Sequence, residues 1–369
     1  MTDQPESLAR VVDGRAWEEF CDTLKAAGAV VLAGPNDPLD RAEGWRYLSR
    51  LTRAGLETFV EASDASAPHF QRTTNETVKM GMDNPDNVYL NAPVNGASDY
   101  RIWGTRGTVH YLGFGTQAGN YAATGSLNTT GYLEAKDMKL GPGGSFEIIA
   151  SSKQQPSGVN WLPMQPETRM IQIRQTRLDH AQEVLADVKI ERAGGPGALK
   201  PLDPVRFDRM LQGVAKFVTA SSRLFDAWAR DFQKQPNQLP RFSHEKAFAA
   251  GGDPNIAYYH GYFELADDEA LVVTLDPPEC DFWNFQLANW WLESLDYRFR
   301  RIHVNKHSAV YRPDGTVEIV VAARDPGHPN WLDPCGHRRG TMCVRWIRAT
   351  THPDPQTRVV KLAELGRRD

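Results

Sequence analysis

Between His303 and His307 the chain sets two imidazoles around an amide, in the order His303-Val304-Asn305-Lys306-His307. The β-branched neighbours predict a strand. On a strand each two-residue step spans about 6.6 Å, which would put His303 and His307 about 13 Å apart. Metal–nitrogen bonds are about 2.1 Å, so one straight strand cannot offer both rings to one ion. A single ring, His307 beside Asn305, would instead act as acid or base near neutral pH, or hold neighbouring backbone. His260 and Glu264 share a strand face with Tyr262, but only fragments of a cupin-like ligand set are present. No metal is expected. Tyr262 would still flank a ligand.

The segment from Asp325 to His337 is denser in chemistry. It holds Asp325, His328, Asn330, Trp331, Asp333, Cys335 and His337, stiffened by Pro326, Pro329 and Pro334. Such loops on a rigid sandwich are where sites usually sit. His337 would serve as an alternative base to His307. Asp333 or Asp325 would orient the base or act as the partner acid, and Trp331 would form a wall. A Cys335/His337 nucleophilic pair needs an alignment that their spacing does not supply. A pinned structural loop is the plainer use.

A third set lies on the run Phe282 to Trp291. Alternation puts Trp283, Phe285, Leu287, Asn289 and Trp291 on one face, which reads as core. Phe282, Asn284, Gln286, Ala288 and Trp290 fall on the other. Amides fix hydroxyls and rings stack, so Asn284, Gln286 and Trp290 suit a polar small molecule. The same amides would equally satisfy buried backbone. Asn305 and Asn330 join the candidate binding residues, as does Trp103 if the two β regions face one another. Gly113 to Gly119 is glycine-rich but lacks the helix start of a phosphate cradle, so a turn or bulge is expected there.

These groups need elements to carry them. Trp17, Phe20, Leu24 and Ala27 mark a helix that stops near Gly28. A second helix starts at Asp37-Pro38, a cap followed by proline in the first turn, with Gly44 and Gly55 weakening it. Residues 63–98 read as loop. From Tyr100 the hydrophobic period becomes two, in short strands separated by Gly-, Pro- and Asn-rich turns. A long amphipathic helix follows, from about Phe207 to Phe232, ended by Gln235-Pro236. A second β region then runs through 256–265, 270–275, 282–292, 300–311, 316–323 and 342–348. Pro313-Asp314-Gly315 predicts a hairpin between two of these segments. The expected fold class is α+β and mainly β: antiparallel sandwiches or jelly rolls in two regions joined by the long helix. The expected division is 1–98 helical with loop, 99–200 first sandwich, 201–238 connecting helix and 239–369 jelly-roll-like.

The 369 residues carry 42 Lys and Arg against 46 Asp and Glu, a formal charge of -4. That balance gives no electrostatic reason to expect nucleic acid or an anionic membrane as partner. No apolar run reaches the roughly 18 residues of a span. The polar, acidic start does not read as a secretory leader. Cysteines at 21, 280, 335 and 343 form no pairing pattern, so reduced thiols and a cytoplasmic protein are expected.

Several C-terminal segments are similar to a known family. Asp276-Pro277-Pro278-Glu279, Asp281-Phe282-Trp283-Asn284-Phe285-Gln286-Leu287, Glu293-Ser294-Leu295-Asp296-Tyr297, Asn305-Lys306-His307-Ser308, Asp325-Pro326-Gly327 and Asn330-Trp331-Leu332-Asp333 resemble the domain-of-unknown-function family 1214. The resemblance covers about residues 255–348 and implies a jelly-roll-like sandwich, with no agreed activity. From the residues themselves, the expected function is small-molecule binding. Acid–base catalysis on a hydrophobic, hydroxylated compound in catabolism would go with it, by a lyase, isomerase or hydrolase without a redox cofactor. The alternative is a non-catalytic module for a carbohydrate or a protein partner, with a homo-oligomer possible in either case.

Overall fold

The computed structural model describes residues 4–120, 126–195 and 201–365; the ends of the expected domain spans lie partly outside this set. Three helices open the chain: α1 (Gln4–Val12), α2 (Arg15–Ala33) and α3 (Pro38–Leu56). The Asp37 carboxylate accepts from the Leu39 amide at 2.9 Å, and Pro38 occupies the first turn, as the spacing predicts. The long helix α4 (Pro204–Phe232) is capped the same way, by Asp203 accepting from Val205 N at 3.0 Å. Helices α1 to α3 pack along α4 through Phe20, Val31, Tyr47, Leu51, Leu211, Val214 and Val218.

The first β region holds eight strands: β1 (Asn87–Pro93), β2 (Tyr100–Thr105), β3 (Tyr111–Asn120), β4 (Ser126–Glu134), β5 (Ser145–Ser151), β6 (Asn160–Pro163), β7 (Thr168–Thr176) and β8 (Asp187–Arg192). They form two sheets, ordered β1-β7-β3-β4 and β6-β5-β2-β8. Tyr100, Ile102, Phe114, Phe146, Ile148, Ile171 and Ile173 fill the space between them. Strand β1 falls inside the stretch expected to be loop. Its Asn87, Asn91 and Pro93 mask the strand signal, and its edge position lets proline end it.

After α5 (His244–Ala249) the second region follows: β9 (Ile256–Glu264), β10 (Glu269–Leu275), β11 (Phe282–Ala288), β12 (His303–Asn305), β13 (Val317–Ala322), β14 (Trp331–Leu332), β15 (Arg339–Ile347) and β16 (Gln356–Lys361), then α6 (Leu362–Leu365). Its sheets run β14-β13-β10-β16 and β12-β11-β15-β9. Among the described strands, pairing is antiparallel except β5 with β6 and β13 with β14. Leu271, Val273, Trp283, Phe285, Leu287, Ile319, Val344 and Trp346 make the core. The fold is thus α+β, with two sandwiches and a helical layer.

Two local expectations fail here. The segment 300–311 contributes only β12, and His307 lies in a turn. Pro313-Asp314-Gly315 does turn the chain, with Asp314 accepting from Thr316 N at 3.0 Å, but the strands it joins lie in different sheets, so no hairpin forms.

Strand β11 is buried on both faces. Its inward face is the sandwich core. Its other face is covered by the 79–86 loop and the helical layer, which Trp290 and Trp291 enter. Trp291 does not continue the strand's alternation, because β11 ends at Ala288. Its indole donates to the Asp40 carbonyl at 2.9 Å and lies over Gly44, where an added Cβ would sit 2.7 Å from the ring. Gly44, which weakens α3 as a helix, is what lets the indole dock.

Candidate ligand cavity

None of the residues expected to perform acid–base chemistry lines the cavity described below. His307 is largely exposed, its Nε2 3.7 Å from Asp179. His337 is buried, its Nε2 2.8 Å from Glu43 and its Nδ1 2.8 Å from the Pro334 carbonyl. Burial opposes its charge, but the hydrogen bond and charge of Glu43 outweigh that and hold its pKa above the ordinary value. Asp333 accepts from Cys335 N at 2.7 Å and pairs with Arg300 at 3.1 Å. Burial and the Asp333 charge push the Cys335 thiol up to about 12, far from a nucleophile at neutral pH. Asp325 is exposed and accepts from Gly327 N at 2.8 Å. The physical reason is local. In this proline-rich loop carboxylates and imidazoles bond the loop's own backbone.

The expected binding residues also part company. Trp290 donates to Asp226 of α4 at 2.9 Å. Tyr262 is fully buried, edge-on to Trp290. Trp331 donates to the Ala322 carbonyl at 2.9 Å, and Asn330 ties the Val310 and Glu318 backbones together. Trp103 lies in the first sandwich under the Arg101 guanidinium.

Three amides do draw together. Asn284 Nδ2 donates to Asn84 Oδ1 at 2.6 Å and to Asp86 Oδ2 at 2.8 Å. Asn305 Nδ2 reaches Asp86 Oδ1 at 2.9 Å. Gln286 donates to the Asp83 carbonyl at 2.9 Å and accepts from Arg345 at 2.5 Å. Their common neighbour is the 83–86 loop.

On the far side of that loop lies a cavity of about 570 Å³, between the β1-β7-β3-β4 sheet, strand β9 and the helices. Such a volume is ordinary for a drug-sized ligand. Its apolar wall comes from Phe59, Phe217, Phe225, Trp228, Phe242 and Tyr258. His260 stands in that aromatic cage, stacked on Phe232 at 5.2 Å and edge-on to Phe242 at 4.8 Å. Burial, with the Arg345 charge adding to it, pushes His260 down to about 3, so the ring is neutral at physiological pH.

The charged part of the wall is cationic: Arg169, Arg174 and Arg345 against the single carboxylate Asp83. Arg174 donates to the Gly251 carbonyl at 2.5 Å. Arg345 is buried and donates to Gln286, Asn284 and the Met82 carbonyl. Among the described residues neither guanidinium forms an ion pair. The Asp83 carboxylate is taken by Ser294, which donates its amide at 2.9 Å and its hydroxyl at 2.7 Å, and burial pushes its pKa up. Asp253, which bears on Arg174 from further off, is held by the hydroxyls of Tyr111 and Tyr132 at 2.9 Å each. Four side chains of this wall also hold a buried polar atom without a protein partner: Asn91 Oδ1, Gln117 Oε1, Gln172 Oε1 and His260 Nδ1. Buried polar atoms normally find partners, and these four stand along one cavity.

These features define a two-sandwich protein with a helical layer and an aromatic, cationic cavity where they meet. Residues 264–350 match the family described as a protein of unknown function (DUF1214), so the C-terminal sandwich carries that family's domain. It is similar to the crystal structure of an uncharacterized protein from Burkholderia cenocepacia, with 48% identity, a TM-score of 0.94, and coverage of 97% of this chain and 99% of that one. The VPA0106 protein from Vibrio parahaemolyticus shares the fold at 13% identity and a TM-score of 0.51, over 86% of this chain and 98% of that one. No curated protein matches the chain.

The cavity residues escaped the sequence reading because none forms a motif. Arg174 and Gln172 alternate along an ordinary strand, and Phe217, Phe225 and Trp228 read as the apolar stripe of α4. The available signal was Arg345, a charge inside an otherwise apolar strand (Met342-Cys343-Val344-Arg345-Trp346-Ile347).

Proposed function

We propose that this protein binds a small amphipathic organic anion, an aromatic or alicyclic carboxylate bearing hydroxyl groups, in the cavity between its sandwiches and helices. The observation that carries this reading is the pair Arg174 and Arg345, two guanidiniums without an ion-paired carboxylate on a wall that also holds rings, amides, Arg169 and the carboxylate Asp83. A carboxylate there would gain charge-assisted hydrogen bonds in a poorly hydrated setting. The ligand's apolar body would stack on Trp228, Phe225 and Phe242.

The reading is of binding rather than of acid–base turnover. His260, the imidazole of this wall, is too weak a base at its depressed pKa to work near neutrality. A thermal-shift panel tests the proposal. Hydroxylated aryl and alicyclic carboxylates should raise the melting temperature by several degrees, and the matching primary amides should not. Equal shifts from acids and amides would refute the anion-binding role.

A further inference from the structure

The geometry points to a second site, independent of the cavity: a divalent first-row transition metal ion held by Asp86, His180 and His303. The three come from separate elements, the loop before β1, the turn after β7 and strand β12, yet their ligand atoms all lie within 4.8 Å of one another. Both imidazoles turn Nε2 toward the same carboxylate oxygen, His180 at 2.9 Å and His303 at 3.2 Å from Asp86 Oδ1. Two ligands about 2.1 Å from an ion and 90° to 109° apart are themselves about 3.0 to 3.4 Å apart. The two imidazole–carboxylate separations are close to that range, and the ligand atoms of the two imidazoles lie within 4.8 Å of one another.

The supporting shell fits on the Asp86 side, while His303 Nδ1 is buried without a protein partner. Asn284 donates to Asp86 Oδ2 at 2.8 Å and Asn305 to Oδ1 at 2.9 Å. The Asp86 amide donates to Asn84 Oδ1 at 3.0 Å. Carboxylate ligands are held by such outer hydrogen bonds. Burial is graded: the Asp86 side chain is 0% exposed, that of His303 18% and that of His180 37%. The site is closed behind the carboxylate and open beside His180, which leaves coordination positions for water or a small ligand. Two imidazoles and one carboxylate suit zinc, cobalt, iron(II) or manganese rather than calcium or magnesium.

The competing account is a metal-free hub in which Asp86 merely accepts hydrogen bonds from two histidines. Equilibrating the chelator-stripped full chain with Zn²⁺ or Co²⁺ decides between them. The proposal expects one equivalent bound at micromolar or tighter affinity, visible bands from histidine-ligated Co²⁺, and at least tenfold weaker binding in both His180→Gln and His303→Gln. His180 is partly exposed and lies outside the strands, so His180→Gln is the decisive variant should His303→Gln fail to fold. Wild-type protein that takes up no stoichiometric metal, or a folded His180→Gln that binds it as tightly as wild type, would overturn the proposal.

Discussion

His337 and Glu43 meet at 2.8 Å although 294 residues separate them, so one buried ion pair joins helix α3 to the loop before β15. Burial alone would push Glu43 up and His337 down. Their mutual hydrogen bond and charge outweigh this and shift both the other way. A histidine whose folded pKa exceeds its unfolded value stabilises the fold fully below the unfolded value, about 6.5. That contribution fades as pH rises toward the folded value. Breaking a buried pair from one side costs about 3 kcal/mol. His337→Gln should therefore lose about that much in urea unfolding at pH 6, with the gap to wild type narrowing as the pH is raised above 7. A pH-independent gap would contradict a charged pair.

Gly44 is the floor under the Trp291 indole. A methyl group there would sit 2.7 Å from both the ring and the Val31 side chain, inside a packed layer. Gly44→Ala gains helix propensity yet should destabilise the protein by about 1–3 kcal/mol through overpacking. Denaturant midpoints measure this directly; a stabilised variant would show that the layer can shift.

Asn284 bridges the Asp86 carboxylate and the Asn84 side chain without exposure to solvent. Replacing it with leucine leaves a buried carboxylate short of a donor, and the expected loss is about 2 kcal/mol. His307→Ala, at an exposed turn, should stay within about 0.5 kcal/mol of wild type. Comparable losses for the two would contradict the burial assigned to each.

Much of the fold was legible because it follows from local rules. Asp37-Pro38 and the stripe along Phe207 to Phe232 mark their helices by capping and period, and the short alternating segments mark the sandwiches. Strand β1 was not legible, since asparagine and proline at an edge look like loop. The site was legible only in pieces. Asn284, Gln286 and Asn305 stood out by type, but their partners Asp83, Asp86 and Arg345 come from distant segments, which no spacing rule joins. His303 was weighed against neighbours on its own strand, whereas the imidazole that faces it is His180, beyond the long helix in sequence. The loop from Asp325 to His337 looked chemical because it is crowded with polar groups, and those groups bond its own backbone and tie it to neighbouring segments.

An anion site in the cavity would depend on Arg174 and Arg345. Calorimetric titration of a hydroxylated aryl carboxylate into wild type and Arg174→Gln tests it most directly. A charge-assisted hydrogen bond contributes about 1.5–3 kcal/mol, which is roughly 10- to 100-fold in affinity. The acid should bind wild type and be weakened by about that factor in Arg174→Gln, with the matching amide indifferent to the substitution. An acid that binds both proteins equally, or an amide that binds wild type as well as the acid does, would contradict it.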